Sequence, residues 1–282
     1  MIKVREFPKE NYKGIFFNGK TMRLQYDTSK PISELTYPEF MDVAINNKCY
    51  GACSYCYIEA VHTGKNYESV PQKINDYFGS LTENQRPFQV AIGGAGEPTL
   101  HPEFPEILKA FYDLGIMPNY TTNGMHLTDN VLDATVKYSG GVALTCHEHL
   151  EKHWVRGVDT LLERGIRTNL HIIISDEQSV RRFVDIYDEF RGRVEYFVLL
   201  PYQPVGFAKE VNTAFDYLFA ELKEAGDIQD IAFGALFHPE LVNRPWVDVS
   251  LYEPEIMSKY LDMDEMILSN SSFDREPIRK VL

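Results

Sequence analysis

Basic residues, cysteines and long apolar runs are all scarce in this 282-residue chain, and each scarcity closes off a class of function. Lysine and arginine number 28 against 41 aspartate and glutamate, a formal net charge of −13. Extended binding to a nucleic-acid backbone draws its affinity from neutralised phosphates, so contact of that kind is not expected. Arg181, Arg182, Arg191 and Arg193 read as a solvated helix face and its exit. No apolar stretch approaches the roughly 18 residues of a membrane span, so no membrane partner is expected. The opening Met1-Ile-Lys-Val-Arg-Glu-Phe-Pro8 lacks an apolar signal core, which sets a cytoplasmic expectation. Four cysteines in a chain this long do not make a disulfide framework. Neither a short-period repeat nor a low-complexity tract occurs.

What is present is concentrated. Three of the four cysteines fall in one short stretch, Cys49-Tyr-Gly-Ala-Cys53-Ser-Tyr-Cys56, and the fourth, Cys146, is far away. A [4Fe–4S] cubane ligated by three cysteines keeps one iron open to a small molecule, which points to an enzyme rather than an electron carrier. Zinc and buried structural thiols are the alternatives. Zinc favours paired CxxC motifs or histidines at metal spacing, and no histidine lies between Cys49 and His62. Unpaired buried cysteines are common, but Gly51 and Ser54 give this stretch the character of a ligand loop.

Segment 14–26 reads as a β-hairpin turning at Asn18-Gly19, followed by a polar link with Pro31 and Pro38. Apolar strands at 40–45, 89–92, 120–122, 142–145, 170–174 and 196–200 then alternate with helical patterns at 104–114, 127–138, 158–164, 179–190 and 214–224. Repeated strand–helix units imply a parallel sheet with helices outside it. The predicted fold is α/β: a partial (β/α)6 TIM-like barrel with an N-terminal β-hairpin and a C-terminal capping segment, its site at the C-terminal strand edges. The divisions expected are 1–37 for the hairpin extension, 38–237 for the barrel and 238–282 for the cap.

The strand ends carry unusual chemistry. The second strand finishes in Gly93-Gly94-Ala95-Gly96-Glu97-Pro98, where glycines admit a ligand close to the backbone and Glu97 suits an ammonium group. The third finishes in Thr121-Thr122-Asn123-Gly124, small polar groups able to bond a sugar or carboxylate. Taken in this order after a three-cysteine loop, the motifs resemble the radical S-adenosylmethionine (SAM) enzymes over about residues 40–202. Cys49, Cys53, Tyr55 and Cys56 match the family's cysteine pattern in full. Gly96-Glu97-Pro98 matches its Gly-Gly-Glu-Pro stretch, with Ala95 in place of the first glycine.

The resemblance implies one [4Fe–4S] cluster on Cys49, Cys53 and Cys56, with SAM chelating the open iron. It implies Tyr55 against the adenine, backbone near Tyr57 at the adenine edge, and Gly94, Gly96 and Glu97 at the methionine ammonium. Thr122 and Asn123 are expected at the ribose or carboxylate, and Thr145 and His171 beside SAM. A low-potential donor such as flavodoxin or ferredoxin would reduce the cluster, and SAM would yield a 5′-deoxyadenosyl radical that takes a hydrogen atom from substrate. Nothing after Cys146 can ligate an auxiliary cluster, so one cluster is expected.

Cys146-His147-Glu148-His149 reads as a polar strand-to-helix turn with surface histidines. Cys146 could give a hydrogen atom back to a substrate radical, and His147, Tyr202 and Gln203 are candidate substrate contacts. In the tail, Tyr252, Glu253, Glu255 and 271–274 are expected to close the barrel mouth. A small amino-acid-like or nucleotide-like substrate undergoing isomerisation, epimerisation, rearrangement or dehydrogenation is the first reading. A peptide, protein or nucleic-acid base is the alternative substrate, and a non-catalytic iron–sulfur or SAM-binding sensor is the alternative of another class.

Overall fold

A computed structural model describes residues 2–209, 213–225, 230–242, 244, 254–274 and 276–282. The chain opens with three strands, β1 (Ile2–Phe7), β2 (Tyr12–Phe17) and β3 (Lys20–Leu24), forming an antiparallel sheet in the order β1-β2-β3. The expected hairpin is β2–β3, turning through Asn18 and Gly19, both at positive φ. β1 was not anticipated, because its lysine, arginine and glutamate obscure the alternation. Arg5 docks this sheet onto the barrel. Its guanidinium is 2% exposed and donates to the carbonyls of Asn84, Pro38 and Tyr37 at 2.8–3.0 Å. Beside it, buried Glu39 accepts from Tyr12 Oη at 2.6 Å and from Arg23 Nε at 2.9 Å.

The second sheet has ten strands. β4 (Phe40–Ala44), β5 (Gln89–Ile92), β6 (Met117–Thr122), β7 (Gly141–Thr145), β8 (Thr168–Ile174) and β9 (Tyr196–Pro201) are the six expected strands, each paired in parallel with the next. Helices α1 (Val70–Ser80), α2 (Phe104–Asp113), α3 (Asp129–Tyr138), α4 (Glu151–Glu163), α5 (Glu177–Phe190) and α6 (Phe215–Ala225) follow them in turn. The result is a partial barrel. A further parallel strand, β10 (Ile231–Phe233), pairs with β9.

Strand burial alternates with period two. Along β8, Thr168, Leu170, Ile172 and Ile174 are buried while Asn169, His171 and Ile173 are half-buried. The apolar set packs under the helices, and Asn169 and His171 line the lumen. Helix α4 starts at Glu151 rather than 158. The Trp154 indole N–H donates to the His147 carbonyl at 3.1 Å and holds the early turn in place.

The C-terminal segment, expected as a cap, also extends the sheet. After the short helices α7 (His238–Leu241) and α8 (Pro254–Met257), β11 (Ser258–Asp262) pairs in parallel with β4. Antiparallel β12 (Ile267–Ser269) and β13 (Pro277–Lys280) continue outward from it. β11 covers the open edge of β4, which would otherwise expose unpaired backbone groups. Tyr252 and Glu253 lie outside the described residues.

Candidate active site

The cysteine loop leaves β4 through Asn46, which is 1% exposed and donates its amide to the Glu97 carbonyl at 2.8 Å. In return the Glu97 N–H donates to the Lys48 carbonyl at 2.8 Å. This seam between the cysteine loop and the turn after β5 requires glycine at 96. A Cβ there would stand 2.5 Å from Asn46 Oδ1 and 2.6 Å from the Lys48 carbonyl oxygen.

The Glu97 carboxylate is 4% exposed and is spent on the protein itself. Oε1 accepts from Thr99 N, Thr99 Oγ1 and Thr122 Oγ1 at 3.2, 2.7 and 2.8 Å. Oε2 accepts from Asn123 N at 2.8 Å. Burial raises its carboxyl above the ordinary value, against the pull of these four donors. The carboxylate thus ties the end of β5 to the end of β6.

Asn123 Nδ2 lies 3.7 Å from Cys49 Sγ, and the Gly51 N–H points to the same sulfur at 3.3 Å. A Cβ on Gly51 would sit 3.3 Å from Cys49 Sγ and 3.5 Å from Cys53 Sγ, so the loop backbone forms a cradle beneath two thiols. All three loop cysteines are free and half-buried. Burial, then the charges of Cys49 and Cys56, pushes Cys53 up to about 12. Burial also raises Cys49. Deprotonating this group calls for compensating positive charge, which a metal cluster supplies. Among the described residues no group of three or more His, Cys, Asp or Glu converges as for a single ion. A cubane takes one thiolate per iron. The donor set and the cradle fit a [4Fe–4S] cluster.

Of the histidines after β7, His147 is half-buried while His149 is exposed, yet both contact the cysteine loop. His149 Nε2 donates to the Gly51 carbonyl at 2.8 Å, which fixes the proton on that nitrogen because a carbonyl only accepts. His147 Nδ1 meets Tyr55 Oη at 2.9 Å, and burial drives His147 down to about 4, so its ring is neutral at pH 7. Both rings thus brace the cysteine loop. Tyr55, His147, Arg182 and Tyr202 line a cavity of about 420 Å³ at the ends of β7, β8 and β9. Tyr202 Oη exchanges hydrogen bonds with the Lys209 backbone, both at 2.9 Å. The Gln203 amide lies 3.5 Å from the Pro201 carbonyl and lines neither this cavity nor the lumen.

The lumen is a second cavity of about 670 Å³. His171 faces it, and Thr145 is its register partner on β7. Ser272 and Phe273 line the lumen and also touch the cysteine loop. Phe273 stacks on Tyr57 at 4.2 Å, and Ser272 Oγ meets Tyr57 Oη at 3.1 Å. Gly94 lies beneath Ser272, where a Cβ would stand 3.3 Å from the serine Cβ. Cys146 is 5% exposed within the apolar core, with Sγ 3.9 Å from the Leu144 carbonyl. Cys146 does not line the lumen but does line the 420 Å³ cavity, beside His147.

Sequence reasoning missed Asn46 and Asp42, and named Gly51 and His149 without their contacts. Asp42 carried a signal: a lone acid inside the apolar run of β4, in phase with Phe40 rather than with Met41 and Val43. For His149 the spacing gave no such sign, since its partner is a backbone carbonyl nearly a hundred residues away.

Comparison with known proteins agrees with this geometry. In sequence, 87 residues are 29% identical to the 7,8-dihydro-6-hydroxymethylpterin dimethyltransferase of Methanocaldococcus jannaschii, covering 30% of this chain and 17% of that protein. In structure, SuiB of Streptococcus suis bound to S-adenosylmethionine superposes with a TM-score of 0.66 at 13% identity, over 84% of this chain and 61% of SuiB. Native anSMEcpe with bound AdoMet and Cp18Cys peptide gives a TM-score of 0.57 at 12% identity, over 83% of this chain and 74% of that one. The chain therefore spans well under two thirds of the dimethyltransferase and slightly under two thirds of SuiB. Among the described residues no helix is long and apolar enough to cross a membrane. Residues 43–190, just over half the chain, match the family model described as the Radical SAM superfamily. This chain belongs to the radical SAM superfamily, whose cofactors, a [4Fe–4S] cluster and S-adenosylmethionine, are its own.

Proposed function

We propose that this chain is a radical SAM enzyme acting on a small molecule held in the barrel lumen. One observation carries the reading: Ser272 and Phe273 line the lumen and at the same time contact Tyr57 of the cysteine loop, so substrate space and cofactor loop share a wall. When bound and reduced by a low-potential donor such as flavodoxin or ferredoxin, the cluster and SAM supply a primary carbon radical that abstracts hydrogen. The protein's residues supply position. Cys49, Cys53 and Cys56 hold the cluster, and Asn123 and Gly51 steady the Cys49 sulfur. The Gly94–Gly96 backbone receives the methionine ammonium, oriented by Glu97 through the turn it clamps. Tyr55 and His147 wall the 420 Å³ cavity for the adenosine end. We assign residues 1–37, 38–237 and 238–282 as extension, barrel and cap, the last sharing the barrel's sheet.

A second reading is a peptide substrate. SuiB is known bound to its precursor peptide SuiA, with a TM-score of 0.66 to this chain at 14% identity over 85% of it. Here β1 is an edge strand, and its Ile2 and Val4 are exposed, a surface suited to strand addition. The lumen's size, about 670 Å³, favours the small molecule.

The test is anaerobic reconstitution, addition of SAM and dithionite, and assay of 5′-deoxyadenosine with Cys53→Ala as control. Formation that depends on Cys53 is the expected result. A filled cluster that yields no deoxyadenosine with any reductant would favour the sensor reading.

A further inference from the structure

Closed (β/α)8 barrels fill their interiors with branched apolar side chains. In this partial barrel several inward positions of β4 to β8 are small or polar, beside Phe40, Tyr196 and Leu200. Asp42 on β4 stands beside Ala91 on β5, and Ala91 beside Asn119 on β6. One layer up, Ala143 on β7 stands beside Asn169 on β8. Apolar filling has been given up across five strands, and the 670 Å³ cavity is the outcome.

Three of the polar groups facing that space are unspent. Among the described residues, the Asp42 carboxylate and the His171 imidazole have no hydrogen-bond or ion-pair partner, and Asn169 Oδ1 is buried without one. A buried unpaired acceptor costs about 1–3 kcal/mol and calls for an explanation, of which a ligand is one. Charge narrows the ligand. Arg167 at the floor is committed to Glu195 through two bonds of 2.7 Å, and Lys20 is exposed, 5.8 Å from the Tyr196 ring. Burial drives His171 down to about 4, so its ring is neutral at pH 7. Among the described residues lining the cavity, the charges outside an ion pair are the Asp42 carboxyl and the exposed Lys20, beside unfilled acceptors. A phosphate ester or nucleotide at Asp42 would bring negative charge against that carboxyl, with Arg167 committed to Glu195.

We propose that the lumen takes a small amine carrying several hydroxyl or amide donors, with its ammonium seated on Asp42. This rests on the radical SAM reading above and names its substrate class. Burial holds the Asp42 carboxyl up at about 7, and an ammonium beside it would restore the ionised form.

The test uses the reconstituted protein saturated with SAM and without reductant. Equilibrium dialysis would compare glucosamine, glucose and glucosamine 6-phosphate, which share one framework and differ in charge. Glucosamine should bind at least tenfold tighter than glucose, and the phosphate ester should not bind at the same concentrations. Asp42→Asn, of nearly the same shape, should erase the preference for the amine while its cluster absorbance confirms folding. Ala91→Leu should exclude both sugars. Equal binding of glucosamine and glucose, no binding of either, tighter binding of the phosphate, or undiminished glucosamine binding by Asp42→Asn would each overturn the proposal. Deoxyadenosine formation by the same wild-type preparation is read separately. Its absence would sink the radical reading, while the dialysis still reports on the lumen.

Discussion

Replacing Glu97 by glutamine separates a residue that positions the site from one that holds the ligand. Three donors, Thr99 N, Thr99 Oγ1 and Thr122 Oγ1, converge on Oε1, and one, Asn123 N, on Oε2. The less costly amide orientation keeps oxygen toward the threonines and turns the NH2 against the Asn123 N–H. One charge-assisted bond is lost and two donors face each other in a buried site. Each loss is worth about 1.5–3 kcal/mol, so Glu97→Gln should destabilise by about 3–6 kcal/mol in total. For a chain of this size that lowers Tm by about 6–20 °C. The assay is a thermal melt of reconstituted protein under anaerobic conditions, paired with SAM binding well below the melt. We expect the fall in Tm with a SAM affinity reduced by no more than about tenfold. An unchanged Tm with SAM affinity down a hundredfold or more would refute the reasoning, because the carboxylate would then be spending its charge on the ligand.

Three further outcomes are expected. Gly96→Ala places a Cβ 2.6 Å from the Lys48 carbonyl oxygen, which is backbone and cannot swing away. It should cost about 1–3 kcal/mol and lower the iron bound per chain, and full iron loading with an unchanged melt would contradict this. Arg5→Met withdraws the buried guanidinium from three carbonyls, and a loss of about 3–5 kcal/mol is expected in a urea titration; a loss below about 1 kcal/mol would show the N-terminal sheet is held otherwise. Asp42→Asn has a signed pH dependence. The folded carboxyl titrates at about 7 against an ordinary 3.8, so the unfolded chain gives up the proton first and the wild type loses stability as pH rises between those values. The variant should be more stable by about 1–3 kcal/mol at pH 8, after allowing for solvent in the lumen, with the gain vanishing near pH 4. A gain independent of pH would remove Asp42 from the account.

The sequence by itself determined the superfamily, the order of parallel strands and helices, and the three thiols on one short loop. These follow from short-range facts: period-two and helical patterning fix elements, and metal-ligand spacing lies within a few residues. Only the tertiary structure decided what Glu97, Asn123, His147 and His149 do. Each owes its role to a partner at least two dozen residues away along the chain, apart from the bonds of Glu97 to Thr99, and such pairings leave no periodic trace. The C-terminal segment shows the same division. Its prolines and acids read as a cover, yet β11 completes the sheet because the backbone groups on the open edge of β4 required a partner. The lumen lies between the two. Asp42, Asn169 and His171 are visible in the sequence as polar breaks in apolar strands, but their convergence on one cavity depends on register across β4 to β8, which only folding sets.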